Sequence, residues 1–286
     1  HIELVESIVD LNKPRPIKNK RQKLLNRKRI KDSEQTTVIE TESDNTLVIA
    51  GAGTGKTRTI VKRLLHLVAQ KVEPSEIVLV AFNTKAVTEL KQRMKDNGQY
   101  SKGLNISTFH SWALNNVIKL HDDYEDVVPL VDDDKTMKED GKVVEDILGR
   151  KSVIKDILLR LDLLEKGALS ATLAFLDYCS SRKLKHEDEF DNKEHRVSGY
   201  LTWPKFKQVA KRYESYKKQN GLVDFNDMFS IANKLLMTDK RLLKQVANNT
   251  KHFLLDEAQD SNKLQWQMLR KLSKHGTKLF CVGDPV

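Results

Sequence analysis

Apolar residues follow two rhythms along this chain of 286 residues. Short apolar runs, each bounded by polar or turn-forming residues, predict buried strands at TLVIA (46–50), IVLVA (77–81), HFLLDE (252–257) and KLFCVGD (278–284), and NISTF (105–109) reads as a further strand. Between them the apolar positions fall near a 3.6-residue spacing. After the first run, Ile60, Leu64, Leu65, Leu67 and Val68 mark a helix over 57–70. Further helices are predicted at 84–94, 110–120, 224–236 (with Asp224 as N-cap) and 261–275. From about residue 121 to 220 the character changes. No strand of the same kind occurs, and VVEDIL (143–148), SVIKDILLRLDLL (152–164), LSATLAFLDYCSS (169–181) and WPKFKQVAKRYESYKKQ (203–219) predict amphipathic helices, the last starting at Trp203-Pro204. Strands that alternate with helices predict an α/β fold with a parallel sheet, here interrupted by an all-helical insertion. Such sheets bind ligands beyond the carboxyl ends of their strands.

Two stretches with chemical character sit at those ends. The first is AGAGTGKT (50–57), a phosphate-loop pattern with Ala50 where Gly is usual. Consecutive backbone N–H groups must converge on a phosphate, and Gly51, Gly53 and Gly55 supply the conformational freedom this needs. Ala50 closes the strand and needs no positive φ. Ala52 and Thr54 complete the loop, and the helix that follows turns its free N–H groups and dipole toward the anion. By the motif, Lys56 reaches the β- and γ-phosphates and the Thr57 hydroxyl binds Mg²⁺. The second stretch is HFLLDEAQD, apolar up to Leu255 and then acidic. Asp256 is placed to hold Mg²⁺ through water, and Glu257 to orient and deprotonate an attacking water.

Composition narrows the class. Hydrophobic residues make up 39% and charged residues 31%, which fits a soluble protein, and no apolar run approaches the ~18 residues of a membrane span. The opening HIELVESIVD does not read as a signal peptide. Cys179 and Cys281 lack metal-ligand or redox spacing, so a reducing cytoplasm and no membrane association are expected. The net charge of +10 is uneven: residues 1–31 carry ten Lys/Arg against three acids, while 122–146 carry eleven acids against three lysines. The basic segment fits a polyanion partner or a solvated tail, and the acidic stretch a solvated face.

Gln35, AGAGTGKTR, AFNTKAVTEL, STFHSWAL, LVDFNDM, LLDEAQD and FCVGDP occur in this order. They resemble the successive blocks of the UvrD/Rep-like superfamily 1 DNA helicases, with AFNTKA and TFHSWAL most similar to the helicase IV branch. The resemblance covers about 32–118 and 221–286. It implies a RecA-like lobe built from those two stretches, a helical insertion at 119–220 and a basic segment at 1–31. It also implies ATP as cofactor, with Mg²⁺, and single-stranded or partially duplex DNA as partner. Gln35 would read the adenine edge, Arg58 would lie near the base or ribose, and Gln259 would help sense the γ-phosphate. Phe82 would face single-stranded DNA, with Asn83, Thr84, Thr108, Phe109 and His110 beside it; Asn83-Thr84 reverses the family's usual order. Core packing is the competing reading for Phe82 and Phe109, and capping the one favoured for Asp224 and Asp227. The family's second RecA-like lobe, which supplies arginines to the transferring phosphate, is not present in these 286 residues. The expected activity is that of an ATP-driven translocase moving 3′ to 5′, weak in this piece alone. A P-loop nucleotide switch, or part of a helicase–nuclease, is the alternative.

Overall fold

A computed structural model describes residues 7–10, 36–51, 53–96, 103–132, 135–139, 142–147, 149–182 and 202–285. Gln35, Ala52 and the basic positions 13–31 lie outside the described residues. The chain divides into two compact units, His1–Leu120 with Ala232–Val286, and His121–Ile231.

The first unit holds a six-stranded sheet in the order β1-β2-β10-β9-β3-β4, formed by Ser7–Asp10 (β1), Asn45–Ile49 (β2), Ile77–Ala81 (β3), Asn105–Thr108 (β4), His252–Leu255 (β9) and Lys278–Gly283 (β10). Every neighbouring pair is parallel, so all carboxyl ends share one edge. The predicted α/β parallel sheet is therefore present, and its strands match the apolar runs within a residue or two. β3 is buried at all five positions, as expected of a strand covered on both faces. One face packs Val48, Leu79, Leu254 and Phe280 against Ile60 and Leu64 of α1 (Lys56–Ala69), and against Leu90 and Met94 of α2 (Thr84–Asp96). Aromatic rings lie on Phe253: Trp112 of α3 (Phe109–Asn116) meets it edge-on at 5.1 Å, and Phe109 lies 5.7 Å away.

Two features of this unit were not anticipated. Residues 7–10, read only as part of a charged segment, pair with β2 as an edge strand. Lys240–Asn249 forms a helix (α8), capped by the Asp239 carboxylate, which accepts from the Arg241 and Leu242 N–H groups. Its signal was present in the Asp cap followed by apolar positions 242, 243 and 246.

The second unit is mostly helical: Arg150–Arg160 (α4), Ala168–Arg182 (α5), Trp203–Gln219 (α6) and the start of α7 (Phe225–Thr238). The all-helical expectation is corrected, however. Lys135–Glu139 (β6) and Lys142–Ile147 (β7) form an antiparallel hairpin, and Val128–Leu130 (β5) pairs in parallel with Leu222–Asp224 (β8). VVEDIL was expected to be helical, yet most of it lies in β7. Six residues are too few for a stable helix, and Val143-Val144 favours extended backbone. Asp140-Gly141 between the two runs is a hairpin signal. Among the described residues no helix is long and apolar enough to cross a membrane.

Candidate nucleotide site

Five strands end in a sequence motif at the shared carboxyl edge. From β2 the chain runs through Ala50, whose N–H donates to Gly283 O (2.9 Å), so the loop starts in register with β10. Gly53 and Gly55 adopt left-handed φ values of 72° and 92°, where a side chain would be strained. Gly51 does not. It contributes its carbonyl instead, which accepts from the Thr54 N–H (3.2 Å) and hydroxyl (2.7 Å). Gly55 caps α1 in the left-handed conformation, and the helix begins at Lys56. The loop and the N-terminus of a 14-residue helix thus face one point, the arrangement that binds phosphate.

Lys56 is 10% exposed at its side chain, with Nζ 3.0 Å from Glu257 Oε2 and 2.6 Å from Asp284 Oδ1. Burial lowers its pKa, but the hydrogen bonds and charges of Asp284 and Glu257 outweigh that, and the net shift is upward. Asp256 follows β9, its N–H bonded to Val80 O at 2.9 Å. Burial, and then the neighbouring Glu257 charge, push its carboxyl up to about 6. Glu257 sits at φ 50°, a left-handed value that costs a non-glycine residue on the order of 1–2 kcal/mol. That conformation directs the side chain to Lys56 and Gln259: Gln259 Nε2 donates to Glu257 Oε2 (2.8 Å), while Gln259 Oε1 accepts from the Asp284 N–H (3.0 Å). A cleft of about 420 Å³ opens here, lined by Thr57, Phe82, Asn83, Asp256, Glu257 and Asp284 among others. Hydroxyl and carboxylate oxygens dominate its polar wall, a donor set suited to a hard divalent cation that keeps several waters. The glycine conformations, the helix N-terminus, the lysine and this oxygen set fit a magnesium-bound nucleoside phosphate.

The expected site residues divide clearly. Lys56, Thr57, Asp256, Glu257 and Gln259 come together; Arg58 is exposed one position beyond Thr57. Phe82 follows β3 and is 62% exposed. Thr84 begins α2, and the side chain of Asn83 before it accepts from the Ala86 N–H (2.9 Å), so it caps the helix. Thr108 caps α3 in the same way, accepting from the Ser111 N–H (3.2 Å). His110 is half-buried, and burial lowers its pKa. Phe109 requires a correction: it is 5% exposed and packs on Trp112 and Phe253, so its ring offers no face to a base. Asp284 was assigned no role in the sequence, although an acid directly after an apolar strand is the pattern that singled out Asp256.

The model of the UvrD/REP helicase N-terminal domain family matches residues 31–286. A Mycoplasma pneumoniae protein named "Probable DNA helicase II homolog" is 29% identical over 269 residues, 88% of this chain and 34% of the relative. The ATP-dependent DNA helicase PcrA of Staphylococcus aureus is 27% identical over 258 residues, 88% of this chain and 33% of that protein. The chain thus spans about a third of the length of these curated relatives.

Proposed function

This chain belongs to the UvrD/REP helicase N-terminal domain family, and from that premise we propose that it forms the ATP-binding motor lobe of a DNA-dependent ATPase that translocates on single-stranded DNA. The observation that carries this reading is the convergence of Lys56, Thr57, Asp256 and Glu257 on one cleft at the carboxyl edge of a parallel sheet.

Magnesium-bound ATP supplies the transferable phosphoryl group and a divalent charge that balances it. The chain's own residues do the rest. The loop amides and the α1 N-terminus hold the phosphates, and Lys56 neutralises charge on the outer ones. Thr57 Oγ1 and the Asp256 carboxylate are the groups that hold the metal. The buried Asp256 carries a desolvation cost that a nearby cation offsets. Glu257 accepts the proton of the attacking water, and Gln259 fixes its carboxylate from the side. Gln35 and Arg58 take the adenine and ribose. Phe82 exposes a ring on which a base of single-stranded DNA stacks whatever its identity, with Thr84, Thr108 and His110 nearby in sequence blocks that serve the same strand. Movement 3′ to 5′ and duplex opening are part of the same proposal and are assigned to the complete protein.

Steady-state ATP hydrolysis by the complete protein, with and without single-stranded DNA, tests the proposal. DNA should stimulate hydrolysis, and Lys56→Ala should abolish at least about 99% of it, since the lost charge stabilisation is on the order of 3 kcal/mol. Turnover that ignores DNA would favour a nucleotide switch, and normal turnover by Lys56→Ala would remove the site altogether.

A further inference from the structure

The candidate site contains a closed ring of polar contacts. Lys56 Nζ forms ion pairs with Asp284 Oδ1 (2.6 Å) and Glu257 Oε2 (3.0 Å), the latter oxygen accepts a hydrogen bond from Gln259 Nε2 (2.8 Å), and Gln259 Oε1 accepts from the Asp284 N–H (3.0 Å). Resting on the nucleotide reading above, we propose that Asp284 is a positioning residue that stands in for phosphate: it holds the Lys56 ammonium while the site is free, and the incoming phosphate takes the lysine from it.

Three observations support this. The shortest contact of Lys56 is to Asp284, not to Glu257. Asp284 immediately follows β10, the strand hydrogen-bonded to β2, so backbone pairing holds the carboxylate beside the loop. The ring also requires the glycine before it. A Cβ on Gly283 would lie 2.7 Å from Gln259 Oε1, a separation real Cβ atoms do not show, so only glycine lets the amide reach the Asp284 N–H. Lys56 cannot serve two sets of anions at full strength. Phosphate binding therefore breaks the ring at Lys56 and relieves Glu257 of one of the two donors on Oε2. Occupancy of the loop is thereby communicated to the proton-accepting carboxylate and to Gln259.

The test is calorimetric titration of the complete protein with inorganic tripolyphosphate in EDTA, which isolates anion binding from the metal. Asp284→Asn should bind about two- to fivefold tighter than wild type, the range of a partly exposed ion pair. Asp260→Asn, which neutralises another carboxylate lining the same cleft, should change affinity less, because Asp284 acts by contact rather than by general charge. Equal or weaker binding by Asp284→Asn, or an equal gain from Asp260→Asn, would overturn the proposal. Independent of any variant, crystal structures of the wild-type protein with and without a non-hydrolysable ATP analogue should show Lys56 moving from Asp284 to phosphate. Asp284 still on Lys56 beside bound phosphates would also overturn it. No binding of tripolyphosphate by wild type would instead defeat the nucleotide reading itself, and this proposal with it.

Discussion

Gly283 and Glu257 are adjacent in function though distant in sequence, and each is legible through its backbone. Gly283→Ala would push the Gln259 amide aside rather than split the sheet, because the nearest atom is the end of a flexible side chain. We expect roughly tenfold slower single-turnover hydrolysis, with stability lowered by about 1 kcal/mol, the low end of overpacking costs. Adding Gln259→Ala should cost little more, since both changes break one contact; additive losses would show that Gly283 acts elsewhere. Glu257→Gln should keep ATP binding and lose hydrolysis, and retained single-turnover hydrolysis would remove it as the proton acceptor. His252 reports on the fold instead. Burial, then the charges of Arg63 and Lys278, push it down from 6.5 to about 4. Between those values the unfolded chain binds a proton that the folded chain refuses, so stability falls as pH drops from about 6.5 to about 4. Thermal melts across that range should show the loss, and His252→Gln should reduce it; an unchanged slope in the variant would assign the loss to other groups.

Helix starts carry much of the motif content at the scale of elements. Asn83 and Thr108 were read as neighbours of DNA, and both cap the helices that follow their strands. A capping side chain spends its oxygen on the backbone, which explains why Asn, Thr and Asp recur at these strand ends whatever else they do. Asn83→Ala should cost about 1 kcal/mol, while Asn83→Asp should restore the stability. Urea denaturation measures both, and a neutral Asn83→Ala would mean the cap contributes nothing. Asp224 and Asp227 follow the same logic: each backbone N–H bonds the other's carboxylate, at 2.9 and 3.1 Å, a reciprocal cap in which Asp takes the place of the usual Glu. The reading of these two acids as structural, made from position alone, agrees with this geometry.

For the molecule as a whole, two kinds of core coexist. The sheet unit is held by apolar packing on both faces of β3 and β9. The His121–Ile231 unit adds a buried ionic cluster: Asp224 accepts from the Tyr213 hydroxyl (2.8 Å) and from Lys217 Nζ (3.3 Å), and Lys217 also meets Asp227 (2.6 Å) and Glu214 (2.9 Å). Lys217→Met should destabilise this unit by about 3–5 kcal/mol, because it strands buried carboxylates. Hydrogen exchange should show the loss in 203–231, while tripolyphosphate binding at the other unit persists; simultaneous loss of both would show that the two units unfold together. What the linear chain determined by itself was local. Apolar runs specified most of the sheet strands, 3.6-residue spacing specified most helices, and glycine, lysine and paired acids at strand ends marked the candidate phosphate site, because each rests on neighbours in sequence. Strand order, the pairing of 7–10 with β2, the burial of Phe109 and the recruitment of Asp284 to Lys56 were decided only in the tertiary structure. Asp284 and Lys56 are 228 residues apart, and no spacing rule reaches that far. Their meeting depends on β10 pairing with β2, a choice the sheet makes through burial of both strands' apolar faces rather than through any local preference.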